Sequence, residues 1–229
     1  MNLKQLSLTL KIRLICDFFQ NMIVTAFLPF MALYLTDMVN QHFAGLFLFA
    51  LVMINFPISI ISGHIIERLP KKTLTLSYQS ILSLMLVIMA ITISEQAYMI
   101  ILFCIAYAIF SIIIGMQQPI MDTIIMDAIT PEVEQYIYKV SYWLTNIAVA
   151  FGALIGGLMY GAHKSMLFLI AFAIYIMVFI ALFIWLPKDL NQVNQSYTHH
   201  ANEQQFSVGQ ILKSYKPVSY THLRAHETS

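Results

Sequence analysis

Charged side chains are scarce in this sequence. Only 10% of its 229 residues are Asp, Glu, Lys or Arg, whereas a soluble domain has about 25%. Hydrophobic residues make up 59% of the chain, and so few charges cannot cover that apolar area in water. The composition therefore excludes an ordinary soluble domain and indicates that lipid is the solvent for most of the chain.

Other features that are missing exclude further classes of protein. The 12 basic residues are scattered and the net charge is only +1, so we expect no nucleic-acid partner. The two cysteines, Cys16 and Cys104, lie in apolar stretches, and their spacing fits neither a metal site nor a disulfide framework. Gly-x-Ser-x-Gly, His-Glu-x-x-His and paired intramembrane Asp motifs are absent. We therefore expect no enzyme activity, no cofactor and no bound metal.

What the sequence has is long apolar runs. A membrane-spanning helix needs about 20 apolar residues. Six windows meet this requirement: Ile12–Thr36, Phe43–Ile66, Thr73–Ser94, Tyr98–Met121, Val140–Ala162 and Ser165–Pro187. The last five contain no charged residue and show none of the alternation that barrel strands need. The sequence thus predicts an all-α membrane protein, with a bundle of six transmembrane helices in residues 1–188.

The basic residues predict the orientation of this bundle. Lys164 is the only Lys or Arg on one side, between helices 5 and 6. All the others fall on the opposite side: Lys4, Lys11, Arg13, Arg68, Lys71, Lys72, Lys139, Lys188, Lys213, Lys216 and Arg224. Because Lys and Arg accumulate in cytoplasmic loops, we expect a multi-pass protein of the cell membrane with both termini in the cytoplasm and the lipid bilayer as its surroundings.

The last forty or so residues differ from the rest. Residues 189–217 begin with a polar stretch, which predicts a cytoplasmic linker. Within it, residues 206–215 regain apolar periodicity, typical of a short amphipathic helix or of the lead-in to a seventh span. Residues 218–229 (VSYTHLRAHETS) fit no earlier pattern and resemble a translated sequencing adapter, with a disordered tail as the alternative.

The turn after helix 2 contains a recognisable pattern. Residues 63–72 are GHIIERLPKK, and they resemble the G-x-x-x-D-R-x-G-R-R motif of the major facilitator superfamily. Four positions match, Glu67 replaces the usual Asp and Pro70 replaces the usual Gly; the matching residues are Gly63, Arg68, Lys71 and Lys72. The resemblance implies a charged latch with the opposite half of such a transporter, which breaks as the protein switches. The alternative is a plain positive anchor at the cytoplasmic face.

A second resemblance covers the end of helix 4 and helix 5. Asp127 begins the D-x-x-x-P-E stretch of the same family, and Thr130-Pro131-Glu132 also suits a helix start. The G-P-x-x-G-G pattern of antiporter members is matched by Gly152, Gly156 and Gly157, with Ala153 in place of Pro. These glycines would let helix 5 lie against a helix of the other half. Two departures concern mechanism: Glu134 replaces a usual basic residue, and helix 4 lacks the Arg of many proton-coupled members.

The carboxylates give the first functional candidates. Asp17 lies about one turn inside the first window, and Arg13, four residues earlier, can pair with it. Since an ionised carboxylate is costly in hydrocarbon, Asp17 is either a site for a proton or a cationic substrate, or half of a structural ion pair. We expect Asp122 at the end of helix 4 and Asp127 in the loop beyond it, both solvated, although Asp127 also belongs to the predicted switch motif.

Polar groups in the spans complete the candidate site. We expect them to line a central cavity, because facing lipid would leave their hydrogen bonds unmade: Gln20, Asn21, Gln117, Gln118, Tyr142, Trp143 and Asn146. The resemblance implies two inverted three-helix repeats forming the N-terminal half of the major facilitator fold, whose partner is a missing C-terminal six-helix half.

The same resemblance implies a function. It favours proton-coupled efflux of hydrophobic or cationic drug-like compounds, so a small-molecule substrate and protons are the expected ligands. The alternatives are a symporter for a sugar or another small metabolite, a membrane enzyme, and a six-helix membrane protein that transports nothing.

Overall fold

The computed structural model describes residues 7–93, 97–129, 131–161 and 164–186. Within these ranges the chain forms six α-helices and no strand: α1 (Leu8–Met38), α2 (Gln41–Arg68), α3 (Lys71–Thr92), α4 (Ala97–Ala128), α5 (Pro131–Tyr160) and α6 (Lys164–Trp185). All six are long and apolar enough to cross a membrane. The predicted helical class is therefore confirmed. The predictions for residues 189–217 and 218–229 lie outside the described residues.

Local sequence explains where two of the helices begin. The Ser7 hydroxyl accepts a hydrogen bond from the Leu10 amide at 3.4 Å at the start of α1. The Asn40 side chain accepts one from the Phe43 amide at 2.8 Å at the start of α2. Both are side chains that satisfy the free N–H groups of a first helical turn. Asn40 lies in the short turn between α1 and α2, which places these two helices side by side and antiparallel.

Helices α4 and α5 are longer than their apolar windows. Helix α4 continues past Met121 to Ala128, and α5 begins at Pro131, well before Val140. Their added turns contain charged residues, which a hydropathy window rejects but a helix leaving the hydrocarbon tolerates. Pro131 at the first position of α5 agrees with the predicted helix start. The predicted capping residue, Thr130, lies outside the described residues.

The packing of the helices repeats itself. Helix α1 packs on α5 as α4 packs on α2, and α3 packs on α4 as α6 packs on α1. Helices α3 and α6 also pack on each other. Exchanging the first three helices with the last three thus preserves these contacts. Because each repeat has an odd number of spans, the second repeat is inverted in the membrane, as the fold prediction required.

Aromatic side chains fill the centre of the bundle. The Phe27 ring of α1 lies 5.3 Å from that of Phe110 in α4 and 5.4 Å from that of Phe168 in α6. Tyr34 and Phe103 make a similar contact at 4.8 Å. These contacts pack α1 against α4 and α6 and so help to fix the position of the polar side chains nearer the start of α1.

Helices α2 and α5 present large apolar side chains outward. Phe56 of α2 is 73% exposed and Leu158 of α5 is 74% exposed. Such faces are unfavourable in water but stable against lipid or another helix bundle. These two helices therefore provide much of the outer apolar surface of the bundle.

Candidate functional site

The centre of the candidate site is an ion pair within α1. Arg13 is buried, at 1% exposed, and pairs with Asp17, whose side chain is 18% exposed. The Arg13 Nε also donates a hydrogen bond to the Met121 carbonyl of α4 at 3.4 Å. Asp17 lies about two and a half helical turns from the start of α1, because α1 begins at Leu8 rather than Ile12. The pair is thus both a structural link between helices and a charged group held inside the bundle.

A cavity of about 440 Å³ opens beside this pair, between α1, α4 and α5. Its polar lining comes from Asp17, Asn21, Gln118 and Asp122, with Ser141 and Thr145 from α5. Gln118 donates a hydrogen bond to Asp122 Oδ1 at 3.2 Å. Asp122, which we expected at the solvated end of helix 4, is exposed and lines this cavity, but α4 continues beyond it to Ala128.

A second, smaller cavity lies against the first. It has a volume of about 80 Å³, and its polar lining comes from Asp17, Gln20, Asn21, Gln117 and Gln118. Asp17, Asn21 and Gln118 line both cavities. Four of the predicted amides are therefore gathered around Asp17. Asn21 also donates to the Asp17 main-chain carbonyl at 2.9 Å, which holds its side chain along α1.

Three glutamines from three helices meet behind the small cavity. Gln79 of α3 is fully buried. Its Oε1 accepts hydrogen bonds from Gln20 Nε2 at 2.9 Å and from Gln117 Nε2 at 3.0 Å. Its own Nε2 donates to the Tyr175 carbonyl of α6 at 3.0 Å. Gln79 was not among the predicted site residues, although it is a lone amide inside the apolar window of α3 and could have been identified by that signal.

Three predicted residues do not join this group. Tyr142 and Trp143 of α5 are each 68% exposed, and Asn146 donates to the Tyr142 carbonyl at 2.7 Å. None of the three lines a cavity beside Asp17; Ser141 and Thr145 occupy that face of α5. Among the residues that the structure describes, the site is thus built from α1, α3, α4 and one polar edge of α5.

The predicted switch motif divides into two parts. Lys71 Nζ lies 2.5 Å from Asp127 Oδ2, with both side chains buried at 6% and 4% exposed. We predicted that Asp127 lies in a solvated loop, but it lies near the end of α4. Glu67 and Arg68 remain exposed at the end of α2. The motif therefore joins α3 to α4 and leaves one acid and one base on the surface.

Lys72, which the motif also contains, has a different partner. Its Nζ donates to the carbonyls of Phe183 at 2.9 Å and Leu186 at 2.5 Å. It also lies 5.9 Å from the centre of the Phe183 ring. A lysine in this position satisfies the free carbonyls at a helix end and complements its negative dipole. Lys72 is thus a cap for α6 within the chain.

Two glycines of α5 pack against a helix of the same bundle, whereas we predicted that they pack against the other half. A Cβ at Gly152 would collide with the Met22 carbonyl of α1, and a Cβ at Gly156 with the Ala26 carbonyl. These two glycines therefore pack α5 on α1 of the same half, which corrects our assignment of them to the other half. Gly157 is exposed, and its nearest contact would be 3.9 Å away. A Cβ at Gly63 of α2 would meet nothing within 4 Å.

Comparisons with known proteins agree with this architecture. The model of the Major Facilitator Superfamily matches residues 12–222. The chain is also similar to a protein of Planococcus maritimus described as a Na(+), Li(+), K(+)/H(+) antiporter, at 23% identity over 169 residues. That match covers 74% of this chain and 40% of the relative, so the chain spans less than half of the relative's length.

Proposed function

The chain belongs to the major facilitator superfamily, and from this membership we propose that it acts in a secondary transporter that exports hydrophobic or cationic compounds in exchange for protons. The observation that supports this most directly is the Arg13–Asp17 pair at the border of two polar cavities. A charge held inside a membrane bundle and facing a cavity is the usual mark of a proton or ion pathway.

Electrostatics explains how one pair can couple two ligands. Arginine keeps its positive charge at any accessible pH. When Asp17 is ionised the pair is neutral, and the carboxylate can also attract a cation from the cavity. When Asp17 takes a proton, the uncompensated charge of Arg13 repels that cation. A proton and a cationic substrate therefore compete for Asp17, which is the requirement for exchange of one against the other.

The cytoplasmic end supports a link to a second half. Arg13, Lys71 and Lys72 meet the ends of α4 and α6 at one end of the bundle. Lys164 lies at the other end, 4.7 Å from the centre of the Tyr160 ring. This separation favours cytoplasmic termini in a cell membrane. The exposed Glu67 and Arg68, beside the exposed Gly63, would meet a second six-helix half and break from it during switching.

A second candidate is exchange of inorganic cations for protons. The relative from Planococcus maritimus is described as an antiporter for Na⁺, Li⁺ and K⁺. Such ions could compete with a proton for Asp17 in the same way, because this competition depends only on the positive charge of the substrate. Import of a sugar with protons would move protons in the opposite sense relative to the substrate, so the two classes are separable by experiment.

Proton exchange in vesicles tests the proposal. Inside-out vesicles would be prepared from cells that express the complete gene, acidified by respiration and followed with a pH-sensitive dye. We expect ethidium, or the chlorides of Na⁺, K⁺ and Li⁺, to release protons from these vesicles. Asp17→Asn should abolish this release.

The matched control is Asp37→Asn, because Asp37 lies on the same helix but far from the cavities, where it accepts a hydrogen bond from the Tyr160 hydroxyl. It should exchange like the unaltered protein. Undiminished exchange in Asp17→Asn would remove this residue from the mechanism. Proton movement only with a sugar or another neutral solute would favour the symporter instead.

A further inference from the structure

The orientation of the three glutamine amides follows from their hydrogen bonds. The Tyr175 main-chain carbonyl can only accept a hydrogen bond, so the atom of Gln79 that faces it at 3.0 Å must be the NH₂ group. The oxygen of Gln79 then faces Gln20 and Gln117. Because an oxygen can only accept, both of those residues must present their NH₂ groups to it.

The consequence is that two carbonyl oxygens point away from Gln79. Gln20 and Gln117 both line the small cavity, as does Asp17. Their amide nitrogens are held behind the cavity by Gln79. Two amide oxygens, and the Asp17 oxygen that does not pair with Arg13, are therefore left as acceptors for a positively charged group.

We infer that Gln20, Gln117 and Asp17 form a subsite for a small monovalent cationic group, and that Gln79 is the positioning residue that turns the two amide oxygens toward it. This inference rests on the proposed function and specifies its substrate class. Gln79 would not touch the substrate, since it is fully buried.

The volume limits what the subsite can hold. A cavity of about 80 Å³ has room for about two or three water-sized groups. It admits an ammonium or guanidinium group, or an alkali ion with its remaining water, but not a drug-sized molecule. The larger cavity of about 440 Å³ shares Asp17, Asn21 and Gln118 with it. The apolar body of an organic cation would lie there, with its charged end in the subsite.

Concentration dependence of exchange in vesicles containing the complete protein tests this inference. One series of measurements uses NaCl and KCl, and the other uses methylammonium and guanidinium chloride. The series in which exchange saturates shows whether the subsite binds an inorganic ion or an organic cationic group. In Gln79→Leu the amides lose their common acceptor. The half-saturating concentration should rise about tenfold or more, the effect of losing a hydrogen bond to a charged group, while the maximal rate stays unchanged.

Rescue separates positioning from mere stability. In its protonated form Gln79→Glu keeps the whole pattern, because its O–H can donate to the Tyr175 carbonyl while its other oxygen accepts from both amides. Its half-saturating concentration should stay within about threefold of the unaltered protein. Ser83→Ala is the matched control, because the Ser83 hydroxyl, one turn along α3, donates a hydrogen bond to the Gln79 main-chain carbonyl at 2.8 Å and not to its side chain. It should leave the half-saturating concentration unchanged.

A second variant keeps the test decisive if Gln79→Leu does not fold. Gln20→Met preserves length at a half-buried position and removes one oxygen, so it should weaken saturation to a similar degree. Exchange that saturates normally in both Gln79→Leu and Gln20→Met would overturn the subsite and leave proton-coupled export standing. The subsite would also be overturned if bulky cations exchanged but neither series showed saturation. An unaltered protein that exchanges no cation at all would instead refute the proposed function.

Discussion

The contact between α1 and α5 gives the sharpest prediction for stability. An alanine Cβ at Gly156 would overlap the Ala26 carbonyl oxygen and lie 2.7 Å from its carbon and 2.6 Å from Phe30 Cε2. Two of these atoms belong to the backbone of α1 and cannot rotate away. The helices would have to separate, and overpacking of this kind costs about 1–3 kcal/mol.

The neighbouring Gly157 isolates this steric cost. It belongs to the same helix, so the gain in helix propensity from Gly→Ala is similar at both positions. A Cβ at Gly157 would meet only Phe30 Cζ, at an ordinary 3.9 Å. The difference between Gly156→Ala and Gly157→Ala is therefore the cost of separating α1 from α5, about 1–3 kcal/mol.

Thermal unfolding of the purified protein in detergent measures this difference. For a chain of this size 1 kcal/mol corresponds to about 2–4 °C in Tm, so Gly156→Ala should unfold about 2–12 °C below Gly157→Ala. Equal Tm values for the two variants would show that α1 and α5 do not pack this closely, and the position of Asp17 would then need revision.

Two further predictions concern the end of α2 and the start of α3. Lys71→Met should lower the stability by about 3–5 kcal/mol, because it leaves the Asp127 carboxylate buried without its partner. Lys71→Met combined with Asp127→Asn should recover most of the loss in Tm. A double variant that is no more stable than Lys71→Met would contradict a direct pair. Gly63→Ala should change the stability by no more than about 0.5 kcal/mol, because a Cβ at this position would meet nothing within 4 Å, yet it should slow transport by the complete protein. A large fall in Tm would show that this surface packs within the chain.

The sequence predicted what depends on the solvent and missed what depends on neighbours. Six apolar windows were enough to identify six helices, because a lipid environment leaves the backbone almost no other structure. The window for α4 ended too early and the window for α5 began too late, since Asp122 and Lys139 interrupt the apolar run without interrupting the helix. Hydropathy measures transfer into lipid and carries no information on where a helix continues outside it.

The site was partly predictable for a similar reason. Asp17, Gln20 and Gln117 were identified because polar groups are expensive in a span. Their common partner Gln79 required the angular positions of α1, α3 and α4, which no pattern in one chain provides. The same limit applies to Gly152 and Gly156: a small-residue pattern predicts close packing, but only the structure shows that the partner is α1.

Proton release on cation binding tests the central claim most directly. The complete protein, purified in weakly buffered detergent with a pH indicator, would be mixed with a saturating concentration of the cation that it exchanges. If a proton and a cation compete for Asp17, binding should release up to about one proton per molecule, and Asp17→Asn should release none. Release of the same amount from Asp17→Asn, or saturating binding with no release from the unaltered protein, would contradict the account.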